Sequence, residues 1–183
     1  MYLTDTIKAQ IAKGYFVGMM LLDVQKAFDS VNHTILCNKL YAMGVDPTWF
    51  KSYLSGRKQC VKTNGETSDF NQIQCGVPQG SLVGPLLYLC YSNDMCLAVK
   101  NRLLLYADDS VILVFDRDPS VISQQLAKEL GSCNEWLINN KLSLHVGKTE
   151  CILFGPKGKI KGVEKFEVHY NGQVINGQKM SNT

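Results

Sequence analysis

Tyr106-Ala107-Asp108-Asp109 stands between two apolar runs, Leu103-Leu104-Leu105 and Val111-Ile112-Leu113-Val114-Phe115. The runs read as the arms of a β-hairpin, and the residues between them as its tight turn. Two adjacent carboxylates are poor structural material there, because they repel each other and neither fills a core. The pair becomes reasonable when a divalent cation neutralises it, since hard cations take carboxylate oxygens. Far upstream, Met19-Met20-Leu21-Leu22-Asp23 is a second apolar strand ending on an acid, and Asp23 is the candidate third ligand. The fold must then bring that strand beside the hairpin.

The remaining pattern predicts how. Ile7 and Ile11 mark the tail of a helix that Gly14 ends, and Tyr15–Asp23 is apolar enough to be buried on both faces. Asn32 caps a helix over 33–43, and Asp46-Pro47 opens a short one to about Leu54. Gln59–Thr63 and Gln72–Gln74 read as short strands around Asn64-Gly65, followed by a helix over 85–99. After the acidic hairpin, Asp118-Pro119 opens an amphipathic helix with Ile122, Leu126, Leu130, Cys133 and Leu137 on one face. Leu142–Val146 and Cys151–Phe154 are strands, and Asn171-Gly172 turns a closing hairpin. The order approximates a β-α-β-β-α-β unit, an α+β fold with a ferredoxin-like antiparallel sheet and helices packed on one face. In that topology strand one neighbours the central hairpin, so Asp23 approaches Asp108 and Asp109.

With 183 residues and 45% apolar content the chain can bury a real core. Net charge is only +3, so no global field announces a polyanionic partner. Basic residues are grouped locally, as Lys51, Arg57, Lys58 and Lys62, and as Lys157, Lys159, Lys161 and Lys165. Seven scattered cysteines without a C-x-x-C, and three dispersed histidines, exclude zinc spacing and read as reduced thiols in an intracellular protein. No secretory leader is legible, and Leu82–Tyr91 is too short to span a bilayer, so no membrane partner is expected.

Four segments in order carry a resemblance. Leu21-Leu22-Asp23-Val24-Gln25-Lys26-Ala27-Phe28-Asp29-Ser30-Val31-Asn32-His33 is similar to the first palm motif of reverse transcriptases, those of non-LTR retrotransposons above all. Cys75-Gly76-Val77-Pro78-Gln79-Gly80-Ser81-Leu82-Val83-Gly84-Pro85-Leu86 is similar to the second, and Tyr106-Ala107-Asp108-Asp109 to the third. Asn140-Lys141-Leu142-Ser143-Leu144 with Gly147-Lys148-Thr149-Glu150 resembles the fourth. A bare Y-x-D-D is weak; four motifs in order over residues 15–155 are strong. The resemblance implies a polymerase palm at 15–155, a remnant of the fingers region at 1–14, and at 156–183 a hairpin leading toward a thumb that is missing.

The same resemblance implies RNA-directed DNA polymerisation by two-metal phosphoryl transfer. Two Mg²⁺ ions, with Mn²⁺ as the alternative, would be held by Asp23 and Asp108 with Asp109 in support. Phe28 would stack under the incoming sugar and exclude a 2′-hydroxyl; alone it would read as a core aromatic. Gln79 and Gly80 would lie around the nucleotide and template base, with Tyr106 also on the substrate side. Lys148 would give a proton to the departing pyrophosphate, or else decorate the surface. Asp29 is expected to make a structural hydrogen bond, and Trp49 and Trp136 to be packing anchors. The partners implied are an RNA template, a DNA primer and deoxynucleoside triphosphates; oligomeric state is not legible. The parent element would work in the nucleus. The chain reads as a truncated polymerase, with a catalytically inactive nucleic-acid-binding remnant as the alternative. A nucleotide cyclase would explain the carboxylates but not Phe28 or Pro78-Gln79-Gly80.

Overall fold

The computed structural model describes residues 2–181. From the N-terminus run α1 (Tyr2–Ala12), β1 (Phe16–Leu22), α2 (His33–Ala42) and α3 (Thr48–Leu54). Four two-residue strands follow: β2 (Lys58–Gln59), β3 (Lys62–Thr63), β4 (Glu66–Thr67) and β5 (Asn71–Gln72). Then come α4 (Gly84–Ser92), β6 (Arg102–Tyr106), β7 (Asp109–Asp116), α5 (Pro119–Asn139), β8 (Glu150–Gly155), α6 (Lys157–Ile160), β9 (Glu167–Tyr170) and β10 (Gln173–Ser181). The chain divides into two compact units: residues 1–25, 95–139 and 143–183 in one, 26–94 and 140–142 in the other. No described helix is long and apolar enough to cross a membrane.

The first unit is built on a six-stranded sheet in the order β6-β7-β1-β8-β10-β9. β1 runs antiparallel to both β7 and β8, and β6 and β7 form the hairpin. These four strands reproduce the expected ferredoxin-like order, with strand one beside the hairpin. Beyond the expectation, β10 lies parallel to β8 over Gly177–Ser181, which makes the sheet mixed.

Helices were expected on one face; the structure puts α1 on one face and α5 on the other. Val17 and Met19 pack with Ile7 and Ile11 of α1 and Leu113 of β7. Gly18, pointing the other way, sits so close to Ile122 and Leu126 of α5 that a Cβ there would lie 2.2 Å from Ile122 Cγ2. The cause is in β1 itself. Six of its seven residues are buried, on both faces, and both faces need a cover.

The second unit holds α2, α3 and α4. Asn32 caps α2 by accepting from Ile35 N–H at 3.0 Å, and α2 packs against α3 and α4. The expected hairpin over 59–74 is instead two separate ladders, β2 with β5 and β3 with β4. All their residues are exposed, so no apolar face extends the pairing. Leu142–Val146, expected as a strand, contributes one bridge, Leu144 with Val24, before a tight helical turn at Val146–Lys148.

Candidate active site

β1 and β7 stop at the same edge of the sheet. Their last paired residues are Leu22 and Ser110, so one further step of the register sets Asp23 opposite Asp109. By strand alternation both continue the rows of Leu21 and Val111, the face that α1 covers. Asp23 and Asp109 line one open cleft of about 440 Å³ with Leu21, Leu22, Gly147, Lys148 and Glu150. Asp108 is exposed in the two-residue turn between Tyr106 and Asp109 and does not line that cleft. Ala107 takes φ +53 in the same turn, a strained choice for a residue with a Cβ. Tyr106 projects outward, 83% exposed.

Lys148 reaches the cleft through its backbone. His145 N–H donates to Asp23 O at 2.8 Å, and Lys148 N–H closes a turn on His145 O at 2.9 Å. Lys148 Nζ then lies 3.7 Å from Asp23 Oδ2, with the lysine side chain 68% exposed. An ion pair so open to water contributes under about 1 kcal/mol, so it orients more than it stabilises. Glu150 was not anticipated. It opens β8 opposite Leu21, and the alternation of Cys151–Phe154 run back one residue was the signal for it.

Among the described residues, no three His, Cys, Asp or Glu side chains are gathered closely enough to hold a metal by themselves. The donor set still suits Mg²⁺. That ion keeps several waters and binds through one or two carboxylates plus substrate phosphates, and Asp23 and Asp109 offer such a pair of oxygens in an open cleft.

In the other unit the second motif is clamped onto the first. Gly76 N–H donates to Val31 O at 2.7 Å and Val77 N–H to Phe28 O at 2.8 Å. His33 Nε2 donates to Gly76 O at 2.7 Å. Gln79 Nε2 donates to Asp29 Oδ1 at 2.8 Å, so Asp29 makes the structural hydrogen bond expected of it. Phe28 is half-buried, its ring 4.8 Å from that of Tyr88. Gly80 is exposed at φ +76, with nothing within 4 Å of where a Cβ would stand.

The family profile of reverse transcriptases (RNA-dependent DNA polymerases) matches residues 3–175. The RNA-directed DNA polymerase from mobile element jockey of Drosophila funebris is 33% identical over 79% of this chain and 17% of that protein. The probable RNA-directed DNA polymerase from transposon X-element of Drosophila melanogaster is 30% identical over 76% of this chain and 16% of that protein. The chain thus spans less than a fifth of the length of these relatives. In fold it is similar to telomerase from Candida tropicalis, solved with a fragment of telomeric RNA. That match has a TM-score of 0.61 at 14% identity, over 83% of this chain and 29% of that one. With nearly its whole length matched by the profile, and its four-strand core in the order the palm requires, the chain belongs to the reverse transcriptase family, among the polymerases of non-LTR retrotransposons.

Proposed function

We propose that this chain is the catalytic palm of an RNA-directed DNA polymerase, extending a DNA primer on an RNA template with deoxynucleoside triphosphates. The observation that carries the reading is the cleft shared by Asp23 and Asp109, with Lys148 beside Asp23, at the edge where β1 and β7 end. Asp23, Asp109 and the adjoining Asp108 would hold the metal. Mg²⁺, or Mn²⁺, supplies charge neutralisation for the triphosphate and a lowered pKa for the primer 3′-hydroxyl.

The chain's own residues do the rest. The carboxylates orient, and the open cleft admits phosphate oxygens. The new bond joins the primer 3′-oxygen to the α-phosphorus as the α–β bridging bond breaks. Lys148 is the candidate donor of a proton to the departing pyrophosphate. In the helical unit, Phe28 is assigned to rejecting a ribose 2′-hydroxyl. Gln79, held by Asp29, and Gly80 are assigned to positions around the incoming nucleotide and the template base.

The test is primer extension by this chain, alone and in a chimera replacing the matching segment of a jockey polymerase. Asp23→Ala and Asp108→Ala should each reduce extension by at least about 100-fold, as loss of transition-state charge stabilisation does. RNA binding that survives without extension, unchanged by either substitution, would instead favour a noncatalytic binding module.

A further inference from the structure

Trp49 does not anchor packing. α3 buries only Leu54, and Trp49 is 57% exposed. Its ring lies parallel to that of Tyr53, centroids 5.3 Å apart and planes 6° apart, and Phe50 meets it edge-on at 5.0 Å. The Arg57 guanidinium lies over the Tyr53 ring, 5.6 Å from its centroid. Two stacked aromatics with a cation on the same column are already ordered, so a further flat ring adds to the stack without paying to arrange it.

The segment that carries the column is basic in sequence. Residues 47–65 carry Lys51, Arg57, Lys58 and Lys62 and no acid. The neighbouring Asp46 accepts from the N–H and hydroxyl of Thr48 at 2.9 and 2.7 Å, which keeps it ionised and sets it against Lys51, so Arg57, Lys58 and Lys62 carry the basic character. The other basic group differs. Lys165 is ion-paired to Glu167 at 2.7 Å, and residues 157–165 include no aromatic.

We propose that Trp49, Tyr53 and Arg57 form a binding site for single-stranded nucleic acid, an unpaired base stacking on Trp49 while Arg57 takes an adjacent phosphate. Aromatic stacking is open to any base, and the cation follows the backbone, so the site binds strand without reading sequence. It needs neither metal nor nucleotide, and so is separable from the polymerase reading.

The experiment is fluorescence anisotropy with short unstructured RNA and DNA oligonucleotides of one sequence, in EDTA, over a series of salt concentrations. Trp49→Ala should weaken RNA binding about tenfold, leave the salt slope unchanged and melt like the parent chain. Trp49→Phe should keep most of the affinity, and Arg57→Ala should reduce the salt slope by about one phosphate contact. Loss on RNA and DNA alike assigns a site blind to the sugar; loss on RNA alone assigns one that also contacts the 2′-hydroxyl. Unchanged affinity of Trp49→Ala for both strands would overturn the proposal. So would a dimer of the parent chain that Trp49→Ala dissolves, which would give the column to a second copy.

Discussion

In the sheet unit, Asp23 and Asp109 sit where two apolar strands stop, and the register between them is set by buried Val, Met and Leu side chains along β1 and β7. In the helical unit, Gln79 is carried by a turn whose exposed tip, Gln79-Gly80, is anchored by one buried apolar side chain, Val77. That turn is held by four hydrogen bonds to residues 28–33. The first arrangement is distributed, because slipping the register by one residue would swap every side chain of β1 between the α1 face and the α5 face and undo both packings at once. The second is local, and one atom can undo it. Residues placed by register tolerate conservative change along the whole strand, while residues placed by a clamp depend on its narrowest point.

That point is Gly76. A Cβ there would stand 2.7 Å from Asp29 O and 2.9 Å from Asp29 Cα, both backbone atoms, and φ is +90. Gly76→Ala should therefore cost about 3–4 kcal/mol, the sum of left-handed strain and a clash that backbone cannot evade. Gly18→Ala in β1 is the counterpart. Its Cβ would press on Ile122 Cγ2 at 2.2 Å and on Leu126 Cδ1 at 3.0 Å, atoms of fully buried α5 side chains that give way only if the helix shifts outward. About 1–3 kcal/mol is expected there. Urea unfolding of both variants measures the pair, followed separately by Trp49 in the helical unit and Trp136 in the sheet unit. A larger loss from Gly18→Ala would mean that packed side chains are the stiffer support.

The sheet unit was also the more legible of the two. The acidic hairpin, the placement of strand one and the α5 face from Ile122 to Leu137 follow from period and turn chemistry, and all five expected α5 core residues are fully buried. The parallel pairing of β10 was not legible, because nothing in an exposed strand names its partner. Glu150 was missed because lone acids at strand starts are common. In the helical unit the cap at Asn32 was readable, but the seat of Gly76 on Asp29 was not, since that contact joins segments distant in sequence through backbone atoms. Trp49 was expected inside because large aromatics usually are. A seven-residue helix burying only Leu54 leaves it no core to enter.

Phe28 tests whether the helical unit's residues act on nucleotides at all. Its ring leans on Tyr88, 4.8 Å away and tilted by 34°, and Tyr88 is 3% exposed, so the ring is backed from behind. In the jockey chimera, Phe28→Val should raise ribonucleotide incorporation relative to deoxynucleotide about tenfold, the scale of a pocket contact made or lost. Competition between the two nucleotides on one template reads the ratio directly. An unchanged ratio would leave Phe28 as packing, and the units would then differ in function as well as in construction.

The smallest expected difference is in alkaline stability. In the sheet unit, burial raises the Cys133 thiol from 9.0 to about 12, with Glu129 adding to the effect, and raises Cys151 to about 11. Raised folded values mean that the native state holds protons the unfolded chain releases. The stability these thiols contribute is whole below pH 9 and is lost as pH climbs toward 11 and 12. In the helical unit burial also raises Cys37 and Tyr91, but it lowers Lys39 against the hydrogen bond that Lys39 donates to Asp94. The lysine has the opposite sign: its unfolded form binds the extra proton, so its penalty fades as pH rises toward 10.5. The terms add in the sheet unit and partly cancel in the helical one. By pH 10 the sheet unit should lose about 1 kcal/mol per thiol relative to pH 8, and the helical unit less. Urea midpoints at pH 8, 9 and 10, followed through Trp136 and Trp49 in single-tryptophan variants, separate the two. Cys133→Ala lowers the sheet unit's stability at every pH by leaving a cavity, but it should remove about half of the fall between pH 8 and 10. A fall of the same size in both units, untouched by Cys133→Ala, would place the alkaline weakness elsewhere than in the buried thiols.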